Sequence, residues 1–164
     1  MVNLNVMTAL AICVAGALLE ALCAGAKVKS YMQGLEWPSF SPPLWAWYVI
    51  GVLYYVIVFV CIYRVLGQRA DVSLRHTALT LLLLMVVLNA VWNILFFRAK
   101  KLGATFVFSF GYSVVVAGCW YCLIRLDHVA AFALGLYILY LVYASIWMYR
   151  LWRLRINEQV VRYV

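Results

Sequence analysis

Charge is what this sequence has least of. Only 11% of its 164 residues are charged and only five are acidic, where a soluble domain carries roughly a quarter charged residues. A water-soluble globule is therefore excluded. Proline is equally scarce: all three fall at Pro38, Pro42 and Pro43, so no other stretch meets the helix-breaking effect of a fixed φ and a missing N–H. His76 and His128 have no second His, Cys or carboxylate at ligand spacing, which argues against a metal centre. The chain holds no Ser-His-Asp set, Gly-rich phosphate loop or paired carboxylates, so no catalytic residue is assigned. Cys13, Cys23, Cys61, Cys119 and Cys122 are odd in number and all lie in apolar stretches; even Cys119-x-x-Cys122 reads as two small packing residues. The basic residues sit at the ends of apolar stretches and form no stripe, which speaks against a nucleic-acid partner.

What is present is apolar: 69% of the residues. A membrane-spanning helix needs about 20 mostly apolar residues. Five windows qualify, predicting helices over about 5–26, 44–64, 75–98, 102–125 and 129–152. Barrel strands would alternate in segments of about ten residues, and these windows are longer and uniformly apolar. The fold class is thus an all-α, multi-pass integral membrane protein, a five-helix bundle in a lipid bilayer. It forms one domain over 1–155, with 156–164 a short basic tail. The first window lacks a basic start and reads as a helix rather than a leader. Short loops predict that consecutive helices are neighbours. Four Lys and Arg (Arg64, Arg69, Arg75, Arg125) face nine on the other side. That bias puts the C-terminus and the loop between the first two helices in the cytosol. Bacterial and mitochondrial outer membranes both remain open.

The segment Trp37-Pro38-Ser39-Phe40-Ser41-Pro42-Pro43-Leu44-Trp45 interrupts this pattern. Its prolines, and the extended geometry each imposes on the residue before it, predict a stiff, non-helical connector over Trp37–Pro43. Trp45, Tyr63, Trp147, Tyr149 and Trp152 suit the interfacial aromatic belts. Trp92, Trp120, Tyr137 and Tyr140 lie too deep for that; a buried N–H or O–H needs a partner lipid does not offer, so these rings should face inward. Asn89, Trp92, Asn93 and Phe96 share one helix face; the two amides either bridge helices or form a polar spot in an aromatic pocket. Glu20 is the only acid inside a predicted span. It either pairs with Lys27 or snorkels to the interface, or it marks a functional site. Ala9, Cys13, Ala17, Ala21 and Gly25 recur every four residues, a stripe for close helix approach within the bundle or across a dimer.

Pro38-x-Phe40-x-Pro42-Pro43-x-Trp45, then Leu88-Asn89-x-x-Trp92 and Phe96-Phe97, then Leu126-Asp127, Tyr137, Ala144 and Arg153-Leu154 resemble the pattern of the translocator protein family, also called tryptophan-rich sensory proteins. The resemblance covers about residues 10–155. It implies a five-helix bundle, usually a homodimer, with a pocket beneath the first connector that takes porphyrins and, in animal members, cholesterol and drug-like ligands. The connector would be its lid, presenting Trp37 or Phe40 downward. By position, the resemblance implies pocket walls of Ala21, Ala24, Trp47, Ile50, Asn89, Trp92, Trp120, Tyr140, Ala144 and Trp147. This chain departs from the pattern at Gly51, where a tryptophan is usual, at Leu136 for a proline, at Tyr140 for a tryptophan, and at Trp147-Met148 for Leu-Asn. The proposed cholesterol motif is met by Val116, Tyr121 and Arg125 and by Val60, Tyr63 and Arg69, a pattern too easily matched to establish sterol binding.

The resulting expectation is a receptor for a flat hydrophobic ligand, a tetrapyrrole such as protoporphyrin IX or haem, or a sterol, with a transport or sensory role and no further cofactor. The alternatives are a light- or oxygen-dependent porphyrin-degrading enzyme and a structural or sensory partner of another membrane complex.

Overall fold

The computed structural model describes residues 2–69 and 71–161, with side chains for 3–69 and 71–156. Its helices are α1 (Val2–Ala24), α2 (Val28–Gln33), α3 (Leu44–Gly67), α4 (Val72–Asn93), α5 (Leu102–Leu126) and α6 (His128–Val161). A π-helical turn, Ile94–Arg98, follows α4 directly. Five of these helices are long and apolar enough to cross a membrane.

Local chemistry sets the boundaries. The prolines hold Trp37–Pro43 out of helix, and Pro43 enters α3 from an extended conformation with ψ 157. Asp71 caps α4 by accepting from the Leu74 N–H at 2.8 Å. Asp127 caps α6 by accepting from the Ala130 N–H at 2.9 Å. Its carboxylate also takes both Arg64 Nε, at 2.9 Å, and Gln68 Nε2, at 2.8 Å. Burial pushes the Asp127 carboxyl up, but the hydrogen bonds and charge of Arg64 outweigh it and leave the group below its usual range. At the other end of the bundle α1 stops at Gly25, whose φ of +79 is the left-handed conformation of a helix C-terminus. There the Arg98 guanidinium donates to the Leu22 carbonyl, one of the groups α1 leaves without an internal partner.

The five long helices close into a ring in the order α1, α3, α6, α5, α4 and back to α1. This corrects the expectation that chain neighbours lie side by side throughout: α3 and α4 touch less than α3 and α6 do. A ring leaves room at its axis. One end is filled by Val58, Cys61, Leu82, Met85, Cys119 and Leu134. The other is closed by Met32, Leu35, Phe96, Trp147 and Met148, with Trp37, Trp47 and Trp92 against them.

Two further differences have plain causes. The segment before the prolines folds as α2, because Val28, Met32 and Leu35 fall at helical spacing and turn toward the bundle, burying Met32 and Leu35. The basic tail begins inside a helix: α6 runs on to Val161, and only 162–164 lie outside the described residues.

Candidate functional site

The connector is held by three bonds to neighbouring helices and one within itself. Trp37 Nε1 donates to the Met32 carbonyl at 2.9 Å, and the Ser41 N–H to the Pro38 carbonyl at 2.9 Å. From α6, Tyr143 Oη donates to the Phe40 carbonyl at 3.3 Å and Trp147 Nε1 to Ser41 Oγ at 2.9 Å. These bonds lay the proline segment across the end of the ring. Under it three indoles meet: Trp37 and Trp47 centroids are 6.1 Å apart, Trp37 and Trp147 5.9 Å, and Trp47 and Trp147 4.6 Å. Phe96 continues the stack from Trp147, and Trp92 lies nearly parallel to Phe96 at 4.8 Å.

Below the indoles is a cavity of about 190 Å³ whose walls include Glu20, Ile50, Tyr54, Asn89, Trp92, Asn93, Tyr137 and Tyr140. A smaller one of about 100 Å³ adjoins it across Trp92, Tyr140 and Trp147 and reaches Ser109, Tyr112 and Ala144. The polar wall is organised around Glu20. Its Oε1 accepts from Tyr55 Oη at 2.6 Å and from Asn89 Nδ2 at 2.8 Å. Asn93 Nδ2 returns to the Asn89 carbonyl at 2.9 Å, and Trp92 Nε1 donates to Ser109 Oγ at 3.3 Å. At the far wall the Tyr112 and Tyr137 hydroxyls are 2.9 Å apart. Three buried donors remain without a well-formed bond among the described residues, and two of them belong to cavity-lining residues: Trp47 Nε1, and Tyr54 Oη beside Tyr112; the third is Arg75 Nε. In an apolar setting such atoms carry a desolvation cost that a ligand or a water can remove.

Of the pocket walls implied by resemblance, Trp47, Ile50, Asn89, Trp92, Tyr140, Ala144 and Trp147 line these cavities, and Trp37 closes them. Four expectations need correction. Trp120 is 38% exposed and donates to the Ala131 carbonyl on α6 at 3.0 Å; this bond satisfies the indole away from the axis. Phe40 is 44% exposed and stands edge-on to Tyr143 rather than pointing down, since its carbonyl is what the lid bond holds. Ala21 and Ala24 line not these cavities but a neighbouring groove on the flank of α1 and α3, which meets the inner cavity at Glu20, Trp47, Gly51, Asn93 and Phe97. Trp147, placed in the interfacial belt by its position near the end of a span, is 2% exposed and belongs to the cavity roof. Glu20 corrects a further reading. It has no ion pair to Lys27 among the described residues and turns inward to Tyr55 and Asn89. The sequence signal for it was its isolation as the one acid within a span; Tyr54 and Tyr55 gave no signal beyond their apolar surroundings.

The proline segment thus roofs an aromatic-walled hollow that carries Asn89 and Trp92 on one helix face. Comparison with known families matches residues 9–153 to the TspO/MBR family. The chain belongs to the TspO/MBR family. No curated protein sequence matches it significantly. As a TspO/MBR protein it is a multi-pass membrane protein with a ligand-binding or sensory role. Its own stamp on the TspO/MBR site is the indole cluster: Trp47 and Trp147 occupy the space directly under the connector, and Gly51 leaves the α3 wall open.

Proposed function

We propose that this TspO/MBR protein is a receptor for a flat hydrophobic ligand, a tetrapyrrole such as protoporphyrin IX before a sterol, serving transport or sensing. The observation that carries the reading is the aromatic-walled cavity itself, whose lining residues include two buried donors, Trp47 Nε1 and Tyr54 Oη, without a well-formed hydrogen bond among the described residues. Aromatic walls hold a macrocycle by stacking and burial, and a few convergent polar groups orient it.

Volume adds a condition. Ligand pockets run to roughly 300–1,000 Å³, whereas the inner cavity is about 190 Å³. A macrocycle therefore enters only when the connector lifts and the Trp37, Trp47 and Trp147 rings part. The described conformation is the closed one, and the population of the open state scales the apparent affinity. Lys27, Lys29 and Lys101 at the same end are suited to meet propionate groups; Lys100 instead lies 5.3 Å from the Tyr31 ring centre. The charge bias of the loops supports a cytosolic lid and C-terminus, and the family resemblance supports a homodimer.

Titrating protoporphyrin IX into the protein in lipid nanodiscs should quench tryptophan fluorescence saturably. Trp92→Leu should weaken binding about tenfold, the scale of one lost aromatic stacking contact. Quenching that never saturates, or that an unrelated membrane protein matches, would overturn the receptor reading.

A further inference from the structure

Outside the capped cavity, the flank between α1 and α3 carries a groove of about 670 Å³. Its rim faces the lipid: Val14 is 52% exposed and Val52 64%. Its floor is made of small residues, Ala17, Ala21 and Gly51, and a Cβ added at Gly51 would meet nothing within 4 Å. The floor reaches Glu20, which lines both this groove and the inner cavity.

Glu20 is unusual in what surrounds it. Both of its hydrogen bonds come from neutral donors and both go to Oε1; Oε2 receives none, and no cation pairs with the carboxylate among the described residues. A carboxyl at this depth is costly without a compensating partner. Asn93, which also lines the groove, is already committed to the Asn89 carbonyl. The rings of Trp47 and Tyr55, which line the same groove, favour a cation over an anion through their negative faces.

We propose that this groove is a bilayer-accessible binding site for a lipophilic amine, a slender apolar molecule whose ammonium group seats on the free oxygen of Glu20. The apolar body lies along Val14, Ala17 and Val52, and the head reaches the carboxylate through the gap at Gly51. Charge complementarity selects the occupant: a fatty alcohol offers a donor without the compensating charge, and a fatty acid would set two carboxyl groups together. The groove meets the tetrapyrrole site under the connector at Glu20, Trp47, Gly51, Asn93 and Phe97, while Val14, Ala17 and Val52 line the groove and not that cavity.

The test uses the full chain in nanodiscs and a twelve-carbon primary amine bearing a diazirine. After photolysis, mass spectrometry should find the label on α1 and α3 at groove positions. Excess dodecylamine should compete it away, and dodecanol and dodecanoate should not. Glu20→Gln and Gly51→Leu should each reduce labelling about tenfold, the second by filling the gap while leaving the Glu20 network intact. Label spread evenly over all lipid-facing helices, equal competition by dodecanol, or unchanged labelling in both variants would overturn the proposal. Protoporphyrin quenching measured on the same samples separates the two readings: groove labelling without saturable quenching removes the receptor for tetrapyrroles alone, and the converse removes the amine site alone.

Discussion

Replacing Gly16 with leucine should leave little folded protein. A Cβ built at this buried position lies 2.6 Å from Val86 Cγ1 and 3.2 Å from the Tyr55 ring. Val86 is β-branched and stiff at χ1, and Tyr55 is held by Glu20, so neither side chain can step aside without moving α4 or α3. Overpacking typically costs ~1–3 kcal/mol and occasionally more; a full leucine at the meeting point of three helices belongs at the upper end, about 3 kcal/mol or above. The same displacement pulls Glu20 from Tyr55 and Asn89, so protoporphyrin quenching should be lost with the thermal midpoint. Gly51→Leu is the internal control. It adds the same side chain to open space, and its stability should stay within ~0.5 kcal/mol of the parent, as for other substitutions away from tight contacts. Equal destabilisation by the two would contradict the close approach of α1.

Asp127→Ala should produce the second large loss, at the opposite end of the bundle. The carboxylate caps α6, pairs with Arg64 Nη2 at 2.7 Å, and accepts from Gln68, while its side chain is 2% exposed. Losing a helix cap costs ~0.5–2 kcal/mol, and breaking a buried pair by removing one partner costs ~3–5 kcal/mol. Arg64 remains 43% exposed and can be rehydrated, which brings the expected total down to ~2–4 kcal/mol. The pH dependence fixes the sign. The folded-state carboxyl titrates below its usual range, so its contribution is fully present above the unfolded value of about 3.9 and is lost as pH falls through the folded value. The gap in thermal midpoint between parent and variant should therefore be widest near neutrality and shrink on acidification below about pH 4. A gap that widens toward acid would contradict the pairing.

The architecture was legible because lipid imposes simple rules. Uninterrupted apolar windows marked each spanning helix within a few residues at most ends, and Pro42-Pro43 marked where α3 begins. The face shared by Asn89, Trp92 and Asn93 was legible for a similar reason: helical spacing alone brings such residues together, and they do line one wall. Depth along a helix was readable too, but direction around it was not. Trp120 and Trp92 are both deep indoles, and only the carbonyl of Ala131 decides that Trp120 is satisfied on the flank. Pairing of Glu20 with Lys27 is only one of the readings the sequence allows, since both lie near one end of α1. The real partners of Glu20 come from α3 and α4, 35 and 69 residues away, and no local pattern announces them. The closed ring, which juxtaposes α3 with α6 and α1 with α4, is a tertiary fact that loop length does not encode.

These elements fit together as one device. The proline segment is stiff by its own chemistry, and Tyr143 and Trp147 fasten it to α6. In the proposed receptor, admitting a macrocycle means breaking a few hydrogen bonds at the rim and parting three indoles. The cost sits in the mouth, where each net hydrogen bond is worth only ~0.5–1.5 kcal/mol.

The central claim is that the residues of α6 facing Asn89 and Trp92 look into a ligand-binding hollow rather than into lipid. Alkylation of an introduced thiol measures this most directly. Ala144→Cys lies on the wall of the smaller cavity that adjoins the inner one across Trp92, Tyr140 and Trp147, and Phe132→Cys replaces a side chain 70% exposed on the outer face of the same helix. With a membrane-permeant maleimide, and with mass spectrometry reading each position, saturating protoporphyrin should slow alkylation at Ala144→Cys about tenfold, as occupancy near ten times Kd requires. It should leave Phe132→Cys unchanged. Equal protection at both positions, or protection at neither, would contradict an enclosed receptor site beneath the connector.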